Sequence, residues 1–367
     1  MKHAVILSSS PAPAPAAAPS LHPPAGARRG ALAFASLLAS AFALGACASA
    51  QPQACAPADA KPGAALSCEL PGFEHRSYDV RLPSEYAPAR PVPVVLAIHG
   101  GGGNSRAAAR TSCPGGDIAS RDCLGAMAGR EGVAVVYPNG TASRLLAKVR
   151  TWNAGGGAEG WQCVSGRACK DRVDDIAYFR ALLDDLSRWI AVDPRRVYAT
   201  GLSNGGAMSH RLACQMADRI AAIAALGGAN QYATTSSCAP ARPLPVLQIH
   251  GTADPCWPYD GGKAACAQRD GMSKISVEAS MRVWAAINGC KSEDAAQAMA
   301  SEPRVRTERI RWAGCRADTE LIRTVGGGHV WPGGWAYFGE GVIGPMVRGW
   351  SANRVILDFF RRHPKPD

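Results

Sequence analysis

The chain has 367 residues, of which 47% are hydrophobic and 19% charged, and its formal net charge at pH 7 is +11. This composition is near the globular average and excludes wholesale disorder and collagen-like repeats, and no apolar stretch predicts a membrane-spanning helix. The 13 cysteines exceed what a reducing cytosol usually accommodates, which predicts export. The basic residues form no long run with interleaved aromatic residues, so we expect no nucleic-acid partner.

Residues 1–46 are predicted to be a signal peptide with an N-terminal extension. Residues 8–27 are a low-complexity run of Ser, Pro and Ala, and Arg28 and Arg29 precede sixteen uncharged residues, 31–46. A basic flank before a short apolar segment is typical of a secretory signal, since a membrane-spanning helix needs about 20 apolar residues.

Residues 44–47, Leu-Gly-Ala-Cys, resemble a bacterial lipobox. The motif predicts that Cys47 carries a lipid and that the protein is an outer-membrane lipoprotein. Cleavage after Ala48 or Ala50 is the alternative, and it would leave an extracellular or periplasmic protein. In either case the membrane is a partner only through the lipid.

Residues 47–72 are rich in Ala, Pro and Gln and are predicted to be a tether. Ordered structure is expected to begin near Phe73. No linker-like stretch interrupts residues 73–367, which are therefore predicted to form one domain.

Alternating strands and helices are predicted within this domain. Residues 77–82 alternate like an edge strand, whereas short continuous apolar runs are typical of parallel strands that are covered on both faces. Those runs are 92–98, 133–137, 197–200 and 246–249. Amphipathic patterns predict helices over 174–190, 273–287 and 351–362. This pattern predicts an α/β fold with a doubly wound, mostly parallel sheet and helices on both faces, which binds ligands at the carboxyl ends of its strands.

A candidate nucleophile follows the strand at 197–200. Residues 201–205, Gly-Leu-Ser-Asn-Gly, form a G-x-S-x-G motif between that strand and a helical pattern. The motif alone occurs by chance, but a strand–turn–helix setting lifts the serine hydroxyl above the sheet. Ser203 is therefore the predicted nucleophile.

A serine needs a base, and the base needs an orienting acid. Asp254 follows the strand at 246–249 and is the preferred acid, with Asp260 and Asp270 as alternatives. His329 lies in a glycine loop after an apparent strand at 320–325 and is the preferred base. The chain order Ser, Asp, His is the order expected on an α/β-hydrolase sheet. His99 and His250 also follow strands, and we interpret them as structural or oxyanion-loop residues.

Backbone N–H groups are predicted to form an oxyanion hole. The glycine loop 99–103 would supply one donor, from Gly101 or alternatively Gly102, and the residue after the nucleophile, Asn204, would supply the other. A phosphate-binding loop is disfavoured because the Lys-Ser/Thr ending is missing.

Several other residues are candidate site residues. Trp257 and Trp331 closely follow the predicted acid and base and are candidate substrate-binding residues, with a core role as the alternative. Asp174 and Asp175 start a predicted helix and are interpreted as capping residues. No cluster has metal-ligand spacing, so we expect neither a metal nor a cofactor.

Five segments together resemble the polyhydroxybutyrate depolymerase-type esterases of the α/β-hydrolase superfamily, which are related to the feruloyl and acetylxylan esterases of carbohydrate esterase family 1. They are residues 99–104, 173–175, 196–209, 250–262 and 326–334. The resemblance implies a secreted serine esterase with Ser203, Asp254 and His329 as its triad, acting on an ester in a polymer or its oligomers.

Two alternatives stay open. One is a feruloyl or acetylxylan esterase that acts on plant polysaccharide; the other is a non-catalytic polymer- or sugar-binding protein. The chain departs from the family pattern in a cysteine-bearing insertion at 111–123 and in the separation of Cys163 from Cys169, so the substrate is not predicted.

If Cys47 carries a lipid, twelve cysteines remain. Their proximity in sequence favours local disulfides, and the resemblance adds support for the last pair. The expected pairs are 55–68, 113–123, 163–169, 214–238, 256–266 and 290–315.

Overall fold

The computed structural model describes residues 53–155, 168–266 and 273–366. These residues all belong to one structural unit, residues 51–367. The predicted signal peptide and Cys47 lie outside the described residues.

The strands and helices alternate along most of the chain. The strands are β1 Ala65–Glu69, β2 Ser77–Arg81, β3 Val92–Ile98, β4 Ala134–Pro138, β5 Thr141–Ala142, β6 Arg150–Thr151, β7 Val192–Leu202, β8 Ala222–Leu226, β9 Val246–Gly251, β10 Gly262–Lys263, β11 Ser273–Lys274, β12 Ser292–Glu293, β13 Gln297–Glu302, β14 Val305–Ala313 and β15 Thr319–Val325. The α-helices are α1 Ser105–Thr111, α2 Leu124–Arg130, α3 Asp175–Trp189, α4 Asn204–Gln215, α5 Val277–Asn288, α6 Glu340–Ile343 and α7 Ala352–Arg362.

One large sheet holds most of these strands. Among the described residues its order is β1-β2-β4-β3-β7-β8-β9-β15-β14-β12, with β13 also paired to β14. The six neighbours from β4 to β15 are parallel, whereas the pairs at both ends of the sheet are antiparallel. The doubly wound, mostly parallel α/β sheet predicted from the sequence is confirmed.

Hydrophobic cores cover both faces of the sheet. On β3, Val94, Leu96 and Ile98 face one core, which also holds side chains of α3 and α4. The alternate residues Val95 and Ala97 face a second core, which holds side chains of α2 and α7. Burial on both faces explains why the parallel strands have continuous apolar sequences.

The parallel arrangement brings five chain turns to one edge of the sheet. The segments after β3, β7, β8, β9 and β15 all leave the carboxyl ends of adjacent parallel strands. Ser203 follows β7, Asp254 follows β9 and His329 follows β15. The topology therefore gathers the predicted nucleophile, acid and base at the same edge.

Two predicted boundaries and one predicted strand position were wrong. Residues 53–72 are not only a tether, because β1 lies within them and pairs with β2, so ordered structure begins before Phe73. The same pairing means that β2 is not an edge strand. The helix predicted from residue 273 begins at Val277, because Ser276 caps it by accepting a hydrogen bond from the Ala279 N–H, and residues 273–274 form β11.

Five of the expected disulfides are present, in the pairs 55–68, 113–123, 214–238, 256–266 and 290–315. Cys169 is also disulfide-bonded, but its expected partner Cys163 lies outside the described residues. In the described part of the chain no helix is long and apolar enough to span a membrane.

Candidate active site

Ser203 lies in a sharp turn between β7 and α4. Its φ of 62° is in the left-handed region, which residues other than glycine rarely adopt. Its N–H donates to the Leu226 carbonyl at 2.8 Å. The turn needs small neighbours, because a Cβ at Gly205 would collide with the Ile98 carbonyl oxygen. The local geometry is that of a strained turn which presents a nucleophile at a helix N-terminus.

His329 and Asp254 form a buried pair. The His329 Nδ1 lies 2.6 Å from Asp254 Oδ2, and Asp254 Oδ1 accepts hydrogen bonds from the backbone N–H groups of Cys256 and Trp257, both at 2.8 Å. Burial alone would raise the pKa of the Asp254 carboxyl, but the charge and hydrogen bond of His329, together with His250, outweigh it and hold that pKa well below its usual range. Asp254 is therefore an ionised acceptor that fixes the imidazole orientation.

The second imidazole nitrogen of His329 is not used by Asp254. His329 and Ser203 line the same cavity, and a Cβ at Gly227 would lie 3.0 Å from the imidazole ring, so only glycine leaves normal space beside it. Within the described part of the chain the Ser203 hydroxyl has no hydrogen-bond partner. The hydrogen bond between a serine hydroxyl and its histidine base is often long or poorly aligned in enzymes without bound substrate.

The alternative acids do not approach His329 in this way. Asp260 is exposed, and among the described residues it makes no hydrogen bond to His329. Asp270 lies outside the described residues. Asp254 is thus the carboxylate that the fold pairs with His329.

In the glycine loop after β3, the N–H groups of Gly102 and Gly103 already donate hydrogen bonds, whereas that of Gly101 donates to none of the described residues. The Gly102 N–H donates to the Arg150 carbonyl at 2.8 Å, and the Gly103 N–H donates to the Gly100 carbonyl at 3.0 Å. The Gly101 N–H has no partner among residues 53–155, 168–266 and 273–366. This difference favours Gly101 over Gly102 as an oxyanion donor.

Asn204 is the first residue of α4, where backbone N–H groups have no partner within the helix. Its side chain is fixed, because Oδ1 accepts from the Thr151 hydroxyl at 2.8 Å and from the Trp152 N–H at 2.7 Å. Among the described residues the backbone N–H of Asn204 has no partner, so it can face an anion at the helix N-terminus.

His99 holds the glycine loop in place. Burial lowers its pKa to about 3, so the imidazole is neutral. Its Nε2 accepts from the Gly140 N–H at 3.0 Å, which leaves Nδ1 to donate to the Gly100 carbonyl at 2.8 Å. The structural interpretation of His99 agrees with these contacts.

Ser203, His329 and the glycine loop surround a cavity of about 330 Å³. Trp257 and Trp331 both lie in its wall, and both are buried. The indole N–H of Trp257 donates to the Ile275 carbonyl at 3.3 Å, and that of Trp331 donates to Asn353 at 2.9 Å. Each tryptophan therefore packs into the core and also exposes part of its ring to the cavity.

Comparison with known proteins places this chain among esterases. Residues 169–278 match the family described as Phospholipase/Carboxylesterase. The NocK protein of Nocardia uniformis subsp. tsuyamanensis, named as a candidate esterase, is 30% identical over 90% of this chain and 97% of its own length. This chain belongs to the esterases of the α/β-hydrolase superfamily.

Feruloyl esterases are also similar to this esterase. Feruloyl esterase C of Emericella nidulans is 29% identical over 69% of this chain and 76% of its own length. Feruloyl esterase B of Piromyces equi is 37% identical over 35% of this chain, a match that spans 24% of that protein. Among solved structures, an acetyl xylan esterase from Aspergillus awamori is 14% identical, covers 73% of this chain and 94% of its own, and has a TM-score of 0.48.

The sequence did not reveal one wall of the esterase's cavity. Trp335, Tyr337 and Phe338 line it, and the Tyr337 hydroxyl donates to the His329 carbonyl at 3.1 Å. Burial raises the pKa of Tyr337, and the nearby Asp254 charge raises it further. The concentration of aromatic residues directly after the His329 loop was the available signal.

The cysteine-bearing insertion at 111–123 packs beside this aromatic wall. Thr111 lines the cavity, and its carbonyl accepts a hydrogen bond from the Trp335 N–H at 3.1 Å. The Arg110 guanidinium lies 3.9 Å from the centre of the Trp335 ring. The insertion therefore borders the site, as its sequence position suggested.

The remaining candidate residues make contacts that stabilise the fold. The Asp174 carboxylate caps α3 by accepting from the Ala177 N–H at 3.0 Å, and Asp175 is buried beside Arg76. Within the described ranges, no group of three or more His, Cys, Asp or Glu side chains could hold a metal ion.

Proposed function

We propose that this esterase hydrolyses carboxylic esters through a Ser203–His329–Asp254 triad. The observation that carries the proposal is the buried His329–Asp254 pair at 2.6 Å, which shares a cavity with a serine in a strained strand–helix turn. A carboxylate that holds Nδ1–H leaves Nε2 free to act as a base toward the serine hydroxyl.

In this mechanism the Ser203 oxygen attacks the ester carbonyl carbon while His329 Nε2 takes the hydroxyl proton. The carbonyl oxygen becomes an oxyanion, which the N–H groups of Gly101 and Asn204 stabilise. The C–O bond to the alcohol breaks, and the leaving oxygen receives the proton from His329. Water then attacks the acyl-enzyme with His329 again as base, which releases the acid and restores Ser203.

For the substrate we propose an ester with an aromatic acyl group, as in feruloyl esters. Support comes from Trp257, from the aromatic wall of Trp335, Tyr337 and Phe338, and from the similarity to proteins named feruloyl esterases. A polyhydroxybutyrate-type polyester or its oligomers is the second candidate, favoured by the five sequence segments that resemble those depolymerases.

We also propose that the esterase is exported and carries a lipid on Cys47. Five disulfides among the described residues support an oxidising compartment. Mass spectrometry of the protein from a bacterial host that processes lipoproteins tests this. A diacylated N-terminal Cys47 supports the anchor, and a free N-terminus after Ala48 or Ala50 contradicts it.

The mechanism and the substrate are tested together with purified protein. Ser203→Ala should abolish hydrolysis of p-nitrophenyl esters, methyl ferulate, acetylated xylan and hydroxybutyrate oligomers alike. The matched control is Ser209→Ala, because Ser209 lies on α4 with its hydroxyl bonded to the Gly205 carbonyl, and this variant should stay active. A fully active Ser203→Ala variant would contradict the triad. A preference for hydroxybutyrate oligomers over methyl ferulate would overturn only the substrate proposal.

A further inference from the structure

Two buried histidines outside the proposed triad are joined to it by hydrogen bonds. His210 lies on α4 and His250 lies near the end of β9. Gln248 connects them, and Trp284 of α5 contacts His210 from the other side. All four side chains are at most 2% exposed, so solvent does not compete for their hydrogen bonds.

The direction of this chain follows from its first donor. An indole nitrogen is only a donor, so Trp284 Nε1–H must donate to His210 Nδ1, at 2.9 Å. Burial lowers the pKa of His210 to about 4, so its imidazole is neutral and carries its single proton on Nε2. That Nε2–H donates at 2.8 Å to the Gln248 side chain, which must present its carbonyl oxygen there.

The remaining steps follow from the orientation of the Gln248 amide. With its oxygen facing His210, its NH₂ group faces His250 and donates to Nδ1 at 3.1 Å. Because Nδ1 accepts this hydrogen bond, it carries no proton, and the proton of the His250 imidazole is on Nε2. This nitrogen lies 2.9 Å from the Trp257 carbonyl and 3.3 Å from Asp254 Oδ2, the same oxygen that His329 contacts.

We propose that His250 is a positioning residue for Asp254 and that Trp284, acting through His210 and Gln248, fixes His250 in the tautomer that donates toward Asp254. The proposal rests on the proposed triad. The opposite tautomer would place a lone pair of Nε2 against the Trp257 carbonyl and the Asp254 carboxylate, both of which are acceptors. This repulsion would displace the carboxylate that orients His329.

The tautomers can be read directly in the unmodified protein. Two-bond ¹⁵N–¹H correlation spectra at neutral pH should show His210 and His250 both protonated only on Nε2. A His250 signal protonated on Nδ1, or on both nitrogens, overturns the proposal. This measurement needs no variant, so it decides the question even where a substitution prevents folding.

A variant tests whether the chain matters for turnover. Trp284→Phe keeps a buried aromatic ring but removes the one obligatory donor to His210 among the described residues. We expect a mixture of His250 tautomers and a fall in kcat of about tenfold, with little change in KM. This is the smallest loss of activity that is typical when a residue orienting a catalytic group is replaced. A folded Trp284→Phe protein with unchanged kcat and a pure Nε2–H tautomer would overturn the proposal.

Trp189→Phe is the matched control. Trp189 is also buried, but its indole N–H donates to the Tyr78 hydroxyl at 3.1 Å, outside the chain that leads to Asp254. This variant should keep both the kcat and the His250 tautomer. The tautomer also distinguishes the failure of this proposal from the failure of the proposed function. An active Ser203→Ala protein would contradict the triad, whereas a His250 protonated on Nδ1 would contradict only the positioning role.

Discussion

Asp254 and Asp175 are both fully buried carboxylates near the site, yet their surroundings differ. Asp254 receives two backbone N–H groups and two imidazoles, and its pKa is held below the usual range. Asp175 lies 2.8 Å from Arg76 and accepts from the Asn153 N–H at 2.6 Å. Burial raises the pKa of Asp175, and Arg76 offsets only part of that rise.

The difference shows how equal burial serves two purposes. In the proposed mechanism Asp254 keeps a negative charge beside His329, which becomes an imidazolium during turnover. Asp175 instead joins chain segments, because Arg76 comes from the segment before β2 and Asn153 follows β6. The contact with Arg76 is a buried ion pair, with Arg76 Nη2 lying 2.8 Å from Asp175 Oδ1.

The largest expected difference between the two carboxylates is in activity. Asp254→Asn should lower kcat by about 10⁴-fold, the loss seen when a triad acid becomes an amide, because an amide no longer stabilises the imidazolium. Steady-state kinetics on a folded variant measures this loss. A reduction of less than tenfold would show that Asp254 is not the orienting acid.

The next effect is on stability. Asp175→Asn removes the acceptor that faces the buried Arg76 guanidinium and should lower the free energy of unfolding by about 1–3 kcal/mol, because burial already disfavours the ionised carboxylate and offsets part of the ion pair. Urea denaturation measures this change, and kcat of the folded fraction should change by less than about tenfold. Unaltered stability would mean that the ion pair does not hold these segments together.

The pH dependence of stability should have opposite signs at the two sites. A lowered pKa contributes stability that is complete above the ordinary carboxyl pKa of about 3.9 and is lost as the pH falls from there toward the native pKa. The stability advantage of the wild type over Asp254→Asn should therefore shrink below about pH 4. A raised pKa acts in the other direction, so the advantage over Asp175→Asn should decrease as the pH rises above that value. Denaturation at several pH values checks both slopes, and equal slopes would contradict the comparison.

The smallest effect is expected at the neighbouring residue, Asp174. Its side chain only caps α3, so Asp174→Ala should cost about 1 kcal/mol of unfolding free energy and leave kcat unchanged. Thermal or urea unfolding measures the cost. A decrease in unfolding free energy as large as that of Asp175→Asn would contradict the interpretation that Asp174 only caps α3.

Much of the central sheet was predictable because burial on both faces selects continuous runs of Val and Ile, as in β3. The alanine-rich β8 was not predicted, since Ala-Ile-Ala-Ala-Leu has no strand-specific composition. The charged β14 was also missed, because Arg and Glu interrupt its apolar positions. In both cases neighbouring strands, and not local sequence, determine the conformation.

The site was predictable as far as chain order and strand ends determine it. Spacing predicted Ser203, Asp254 and His329, and the structure brings the last two into contact. Spacing could not choose between Gly101 and Gly102, because the choice depends on Arg150, which binds the Gly102 N–H from a distant segment. The same limit hid Trp335, whose place at the cavity depends on its packing against the insertion at 111–123.

The central claim is that Ser203 is a nucleophile activated by His329. Incubation with a fluorophosphonate probe, followed by intact mass measurement and peptide mapping, tests it most directly. The account predicts one adduct per chain, located on Ser203, and loss of labelling in His329→Ala. A folded protein that forms no adduct, or forms it on another serine while Ser203 stays unmodified, would contradict the account.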